Sequence, residues 1–89
     1  MHTVLVVEDD PAIGRALVIN LSARGYRTLH ESTGVGALEA VSRGSVDGVL
    51  LDLGLPDIDG LTVIDGIRGW SNVPIIVVTA RRRSSWVTS

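Results

Sequence analysis

Three short apolar runs in this chain each end in polar side chains, and this pattern constrains the fold more than any other feature. Runs of valine, leucine and isoleucine this short suit strands buried on both faces of a sheet. In a parallel α/β sheet the carboxyl ends of the strands meet at one edge, where ligands bind. We therefore expect the polar groups after the three runs to lie close together. The junctions are Val7-Glu8-Asp9, Leu51-Asp52 and Val78-Thr79.

Helical patterns separate the apolar runs. Asp10 followed by Pro11 predicts a helix start, with a carboxylate cap and proline at the first helical position, and Gly25 predicts its end. Two further helices are expected. Gly34 and Gly36 weaken the start of the first of these two. Strands alternating with helices imply a parallel sheet with right-handed crossovers. The expected strands are residues 3–7, 26–30, 46–51 and 73–78; residues 81–89 match no element.

Length and composition indicate one small domain of ordinary globular character. The chain has 89 residues, 45% of them hydrophobic, and no cysteine, which excludes disulfides and thiolate metal sites. A net charge of −2 argues against strong attraction to nucleic acid or membranes. Neither a signal peptide nor a membrane-spanning run is present, so a cytoplasmic protein is expected.

The carboxylates at the expected sheet edge favour a cation and phosphoryl chemistry. Glu8, Asp9 and Asp52 would repel one another unless a cation neutralised them, and Mg²⁺ prefers such oxygen ligands. One carboxylate could then act as a nucleophile, with the Thr79 hydroxyl donating to a phosphoryl oxygen. The competing interpretation is that the aspartates only cap a helix and start a loop. Three such strand ends in the correct topological order favour a site.

Three stretches of the chain resemble the receiver domain of bacterial two-component response regulators. They are Val6-Val7-Glu8-Asp9-Asp10, residues 50–60 with the run Asp-Leu-Gly-Leu-Pro-Asp, and Val78-Thr79-Ala80. Within that family, residues 52–57 and 68–74 are most similar to regulators of the KdpE type, which control potassium transport. The resemblance implies a flavodoxin-like (βα)5 fold, here reduced to four strands and three helices with sheet order 2-1-3-4.

The resemblance also implies a role for each residue of the edge. Asp52 would be the phospho-acceptor, Asp9 would bind Mg²⁺ directly, and Glu8 would do so mainly through water. Gly54 would offer its backbone carbonyl to the metal, and Thr79 would be the switch hydroxyl that follows the phosphoryl group. Mg²⁺ would be the only cofactor and a sensor histidine kinase the donor. The chain would not be an enzyme in the usual sense, and would regulate transcription through a longer parent protein.

The chain departs from the family pattern after the fourth strand. The family lysine of the fifth strand has no counterpart, since the chain contains no lysine. We expect residues 1–81 to form a partial receiver domain and residues 82–89 to be a non-family tail of a truncated or frameshifted product. The fourth strand would then be an unpaired apolar edge, prone to dimerisation or strand exchange.

Other interpretations remain alongside the receiver. The chain could be an interaction module or inactive fragment that is not phosphorylated but binds a kinase or a full-length regulator. Asp57-Ile58-Asp59 superficially resembles the nucleophile motif of haloacid-dehalogenase phosphatases, but Pro56 places it in a loop, where capping is the better interpretation. His2 and His30 are expected on the surface, and residues 81–83 as a solvated basic tail.

Overall fold

A computed structural model shows how the alternating pattern folds. It describes residues 2–78 and the backbone of residues 87–88. The elements are β1 (Thr3–Val7), α1 (Pro11–Ala23), β2 (Arg27–Glu31), α2 (Gly34–Ser42), β3 (Gly48–Leu51), α3 (Gly60–Arg68), β4 (Ile75–Val77) and β5 (Val87–Thr88).

The sheet has the strand order β2-β1-β3-β4-β5. Strands β1 to β4 are mutually parallel and follow the predicted order 2-1-3-4. The observed bounds of three strands differ from the predicted bounds. The second strand starts one residue later than expected, at Arg27, and the third and fourth are shorter than their apolar runs because Val46 and Val73 precede the hydrogen-bonded ladder.

Strand β5 corrects two expectations about the end of the chain. Val87–Thr88 pairs antiparallel with β4, with Ile76 opposite Thr88 and Val77 opposite Val87. The prediction that residues 81–89 match no element is therefore wrong at residues 87–88, and β4 is not an unpaired edge. An exposed strand edge offers free N–H and C=O groups to any nearby extended segment. Because β5 uses that edge, the reason for expecting strand exchange through β4 is lost.

Local chemistry accounts for the helix boundaries. The Asp10 carboxylate accepts hydrogen bonds from the backbone N–H groups of Ala12 and Ile13, at 2.9 and 3.3 Å, and Pro11 occupies the first turn of α1. Gly25 has φ of 90°, a conformation that side chains with a Cβ rarely adopt. The predicted start and end of α1 are thus confirmed by cap geometry.

The main core lies on one face of the sheet, under α2 and α3. Alternate residues of the parallel strands point to this face, and the helices add small and branched residues between them. The buried cluster comprises Leu5, Val7, Ala37, Ala40, Val41, Val49, Leu51, Val63, Ile67, Val73 and Ile75.

Helix α1 covers part of the opposite face, over β1 and β2. Beyond it lies a cavity of about 340 Å³, lined by Leu50 and Ile76 among others. Ile76 is 37% exposed, so this face is covered less completely than the other. Within the part of the chain that the structure describes, no helix has the length and apolar character needed to cross a membrane.

Candidate metal and phosphoryl site

Strand pairing brings the first two predicted junctions together. Val7 and Leu51 are partners in the ladder between β1 and β3, and the Asp52 N–H donates to the Val7 carbonyl at 3.0 Å. The residues that follow these strands therefore leave the same edge side by side. On the other side of β1, the Glu8 N–H donates to the Glu31 carbonyl at 3.0 Å. The backbone at Glu8 and Asp52 is thus held by the sheet itself.

Three carboxylates meet at this edge. One carboxylate oxygen from each of Glu8, Asp9 and Asp52 lies within 4.8 Å of the other two. Glu8 is 4% exposed and Asp52 is 6% exposed, while Asp9 is more exposed than either. The arrangement combines buried oxygen ligands with an opening to solvent at Asp9.

The surroundings of Glu8 make its ionised form costly. Burial raises the pKa of Glu8 from its ordinary value of 4.5 to about 7, and the negative charge of Asp52 acts in the same direction. A hydrogen bond from the Asp10 N–H to the Glu8 carboxylate, at 3.1 Å, opposes the rise. A bound cation would remove the penalty on the ionised form. An all-oxygen set of this kind fits Mg²⁺.

The other two predicted site residues are placed less fully. Gly54 lies two residues beyond Asp52 in the loop between β3 and α3, and it is partly buried. Thr79 lies outside the described residues, although it directly follows Val78, whose N–H donates to the Leu51 carbonyl at 2.8 Å. The metal role of Gly54 and the switch role of Thr79 stay predictions.

The structure also shows contacts that sequence reasoning missed. The Asp57 carboxylate accepts from the N–H groups of Gly34 and Val35, at 2.8 and 3.0 Å, so it caps α2 from across the loop. These bonds hold the pKa of Asp57 below its usual value. His30 lies 2.9 Å from the Glu8 carbonyl. Both contacts join residues more than twenty positions apart, and no spacing in the sequence signals them.

Fold and site together define a class: a parallel α/β domain with a carboxylate cluster at the carboxyl edge of its sheet, where ligands bind. The family model described as response regulator receiver domain matches residues 4–88 of the sequence. The chain therefore belongs to the response regulator receiver family.

Similar proteins agree with this assignment. The transcriptional regulatory protein KdpE of Mycobacterium tuberculosis is 53% identical over 85 residues, which cover 96% of this chain but 38% of that protein. The response regulator TrrA of Thermotoga maritima, solved in complex with Mg²⁺ and BeF, is 37% identical with a TM-score of 0.86. That match covers 90% of this chain and 70% of TrrA.

A structure of the histidine kinase ThkA in complex with TrrA is also similar. It matches with 36% identity and a TM-score of 0.85, over 96% of this chain and 76% of the matched chain. The predicted relationship to KdpE-type receivers is confirmed by the 53% identity to KdpE.

Proposed function

We propose that this chain is a phosphorelay receiver that accepts a phosphoryl group on Asp52 from a histidine kinase. The observation that carries the proposal is the cluster of Glu8, Asp9 and Asp52, in which the candidate nucleophile lies at the sheet edge beside two further carboxylates. Asp52 is 6% exposed, so its surroundings exclude most water. Aspartyl phosphates form when such a carboxylate attacks phosphorus.

In the proposed step, an Asp52 carboxylate oxygen attacks the phosphorus of a phosphohistidine. The P–O bond forms as the P–N bond breaks, and the imidazole nitrogen leaves with the electron pair. Glu8 and Asp9 would hold Mg²⁺ together with Asp52 and the Gly54 carbonyl. When bound, Mg²⁺ offsets negative charge on the phosphoryl oxygens. Thr79 is proposed to donate its hydroxyl to the transferred group.

Similar proteins support the partners that we propose. TrrA, which resembles this chain, is bound by a histidine kinase, and this supports a kinase as the phosphoryl donor. KdpE is a transcriptional regulator of which this chain spans 38%, and this supports a role in transcription within a longer protein. We further propose that the chain is a stoichiometric acceptor rather than an enzyme, that residues 1–81 carry the receiver function, and that it acts in the cytoplasm.

The experiment is phosphorylation by a small acyl phosphate, followed by the intact mass of the chain. We expect the mass of one phosphoryl group to be added when Mg²⁺ is present and none when a chelator removes it. Asp52→Asn should abolish the addition. Asp65→Asn, which changes an exposed carboxyl on α3, is the matched control and should keep it. Equal modification of wild type and Asp52→Asn would overturn the proposal.

A second candidate function rests on one specific observation, that these 89 residues contain no lysine. In the family, a lysine pairs with the phosphoryl group, and arginine is not a simple replacement for a compact ammonium. The chain would then bind a kinase or a regulator without accepting phosphate. A wild-type chain that binds Mg²⁺ but gains no mass with any donor would favour this function over the first.

A further inference from the structure

We propose that His30 is a positioning residue for the metal site, because it fixes the peptide that joins the ligands Glu8 and Asp9. The inference rests on the proposed function, in which those carboxylates hold Mg²⁺. His30 is the fourth residue of β2, and its ladder partner is Val6 of β1. It therefore lies one strand away from the site and contributes no ligand of its own.

The central contact is a hydrogen bond between His30 and the backbone of Glu8. His30 Nε2 lies 2.9 Å from the Glu8 carbonyl oxygen. Because a carbonyl oxygen can only accept, Nε2 carries the proton and donates. The Glu8 N–H in turn donates to the Glu31 carbonyl at 3.0 Å. Two consecutive residues of β2 thus hold both polar groups of the Glu8 backbone.

Gly14 of α1 provides the space that the imidazole needs. A Cβ at this position would lie 2.7 Å from both Cε1 and Nε2 of His30, closer than real contacts allow. The N–H of Gly14 donates to the Asp10 carbonyl at 2.9 Å, in the first turn of α1. The His30 side chain is exposed to solvent, but its ring lies against the start of α1 and the end of β1, the two elements that flank Asp9.

The Glu8 carbonyl belongs to the peptide plane that leads into Asp9, so its direction sets where the Asp9 side chain begins. Loss of the donor would leave that plane free to rotate, and the two carboxylates would lose their fixed separation. Partners that orient metal ligands typically contribute measurably to affinity. Since one partly exposed hydrogen bond to a backbone carbonyl is involved, we expect Mg²⁺ affinity to fall by about three- to tenfold.

Calorimetric Mg²⁺ titration of the 89-residue chain and three variants tests the inference. His30→Leu keeps apolar bulk but removes the donor, and it should weaken binding by about three- to tenfold. His30→Gln places an amide donor near the position of Nε2, and its affinity should stay within about twofold of wild type. Gly14→Ala should displace the ring and weaken binding, but have no further effect in the His30→Leu background.

The Gly14 variant separates positioning from folding, because alanine favours a helix interior over glycine. The urea midpoint of each variant measures its stability. We expect these midpoints not to correlate with the Mg²⁺ affinities of the variants. Equal Mg²⁺ affinities of wild type and His30→Leu would overturn the positioning role of His30, and so would equal losses of affinity in His30→Leu and His30→Gln. Neither result would overturn the proposed function. A wild-type chain that binds no Mg²⁺ would overturn the proposed function and this inference with it.

Discussion

The raised pKa of Glu8 predicts an unusual dependence of stability on pH in the metal-free chain. The folded-state pKa of about 7 lies above the ordinary value of 4.5. Protonated Glu8 therefore gives its full contribution to stability below pH 4.5, and this contribution is lost as the pH rises through about 7. Glu8→Gln, which stays neutral at every pH, should remove this loss.

The magnitude follows from the size of the shift. One pKa unit corresponds to about 1.4 kcal/mol, so the rise from 4.5 to about 7 amounts to roughly 3 kcal/mol. We expect Glu8→Gln to be more stable than wild type by up to about 3 kcal/mol at pH 8, and the gap to close near pH 4. For a domain of 89 residues, this is a large share of a total of about 5–15 kcal/mol.

Urea unfolding followed by far-UV circular dichroism, with a chelator present, measures this difference across the pH range. Glu39→Gln removes an exposed carboxyl from α2 and controls for the loss of one charge. Saturating Mg²⁺ should restore the stability of wild type at high pH, and it should stabilise Glu8→Gln by less than it stabilises wild type. Parallel stability curves for wild type and Glu8→Gln would refute the reasoning.

Three further predictions concern the scaffold. Ile67→Ala, at a side chain with 0% exposure, should cost about 2–5 kcal/mol in urea unfolding, whereas Ile19→Ala, at 60% exposure, should change stability by no more than about 0.5 kcal/mol. Gly34→Ala should destabilise the fold by about 1–3 kcal/mol, because its Cβ would lie 2.9 Å from Val63 Cγ2 and closer still to Ile58. Combining it with Ile58→Ala should recover part of this loss. Strictly additive losses of unfolding free energy in the double variant would contradict the proposed clash. Asp57, whose pKa is lowered by the N–H groups of Gly34 and Val35, contributes stability above its unfolded pKa of 3.8 that is lost as the pH falls through the lowered value. Thermal melting of Asp57→Asn should therefore show a weaker decline in acid than wild type, and an unchanged decline would exclude this role.

Features set by local patterns could be predicted from the sequence. Apolar runs between helix signals predicted the alternation of strands and helices along the chain, and Asp10-Pro11 predicted the start of α1 with its cap. Because the carboxyl ends of parallel strands meet at one edge, the sequence also predicted that Glu8, Asp9 and Asp52 lie together. In the structure, one carboxylate oxygen from each lies within 4.8 Å of the other two. Each of these predictions needed only neighbouring residues and one general rule of sheet topology.

Features that depend on distant partners could not be predicted. The apolar runs continue beyond the hydrogen-bonded ladder, so the bounds of β3 and β4 were too wide. Val87–Thr88 pairs with β4, although a segment of two residues is too short for its sequence to predict a strand. Asp57 contacts α2 and His30 contacts the Glu8 carbonyl only because the folded sheet brings them there. The His30 contact borders the site, because the Glu8 carbonyl belongs to a residue of the carboxylate cluster.

The most direct test of the central claim is an amide ¹H–¹⁵N NMR spectrum of the chain, titrated with Mg²⁺. If the three carboxylates form a magnesium site in the folded chain, the peaks will be dispersed. The shifts will then be confined to the amides of residues 8–10 and 52–54, and Asp52→Asn will abolish them. A collapsed spectrum, or shifts spread over all exposed acidic residues, would contradict the account.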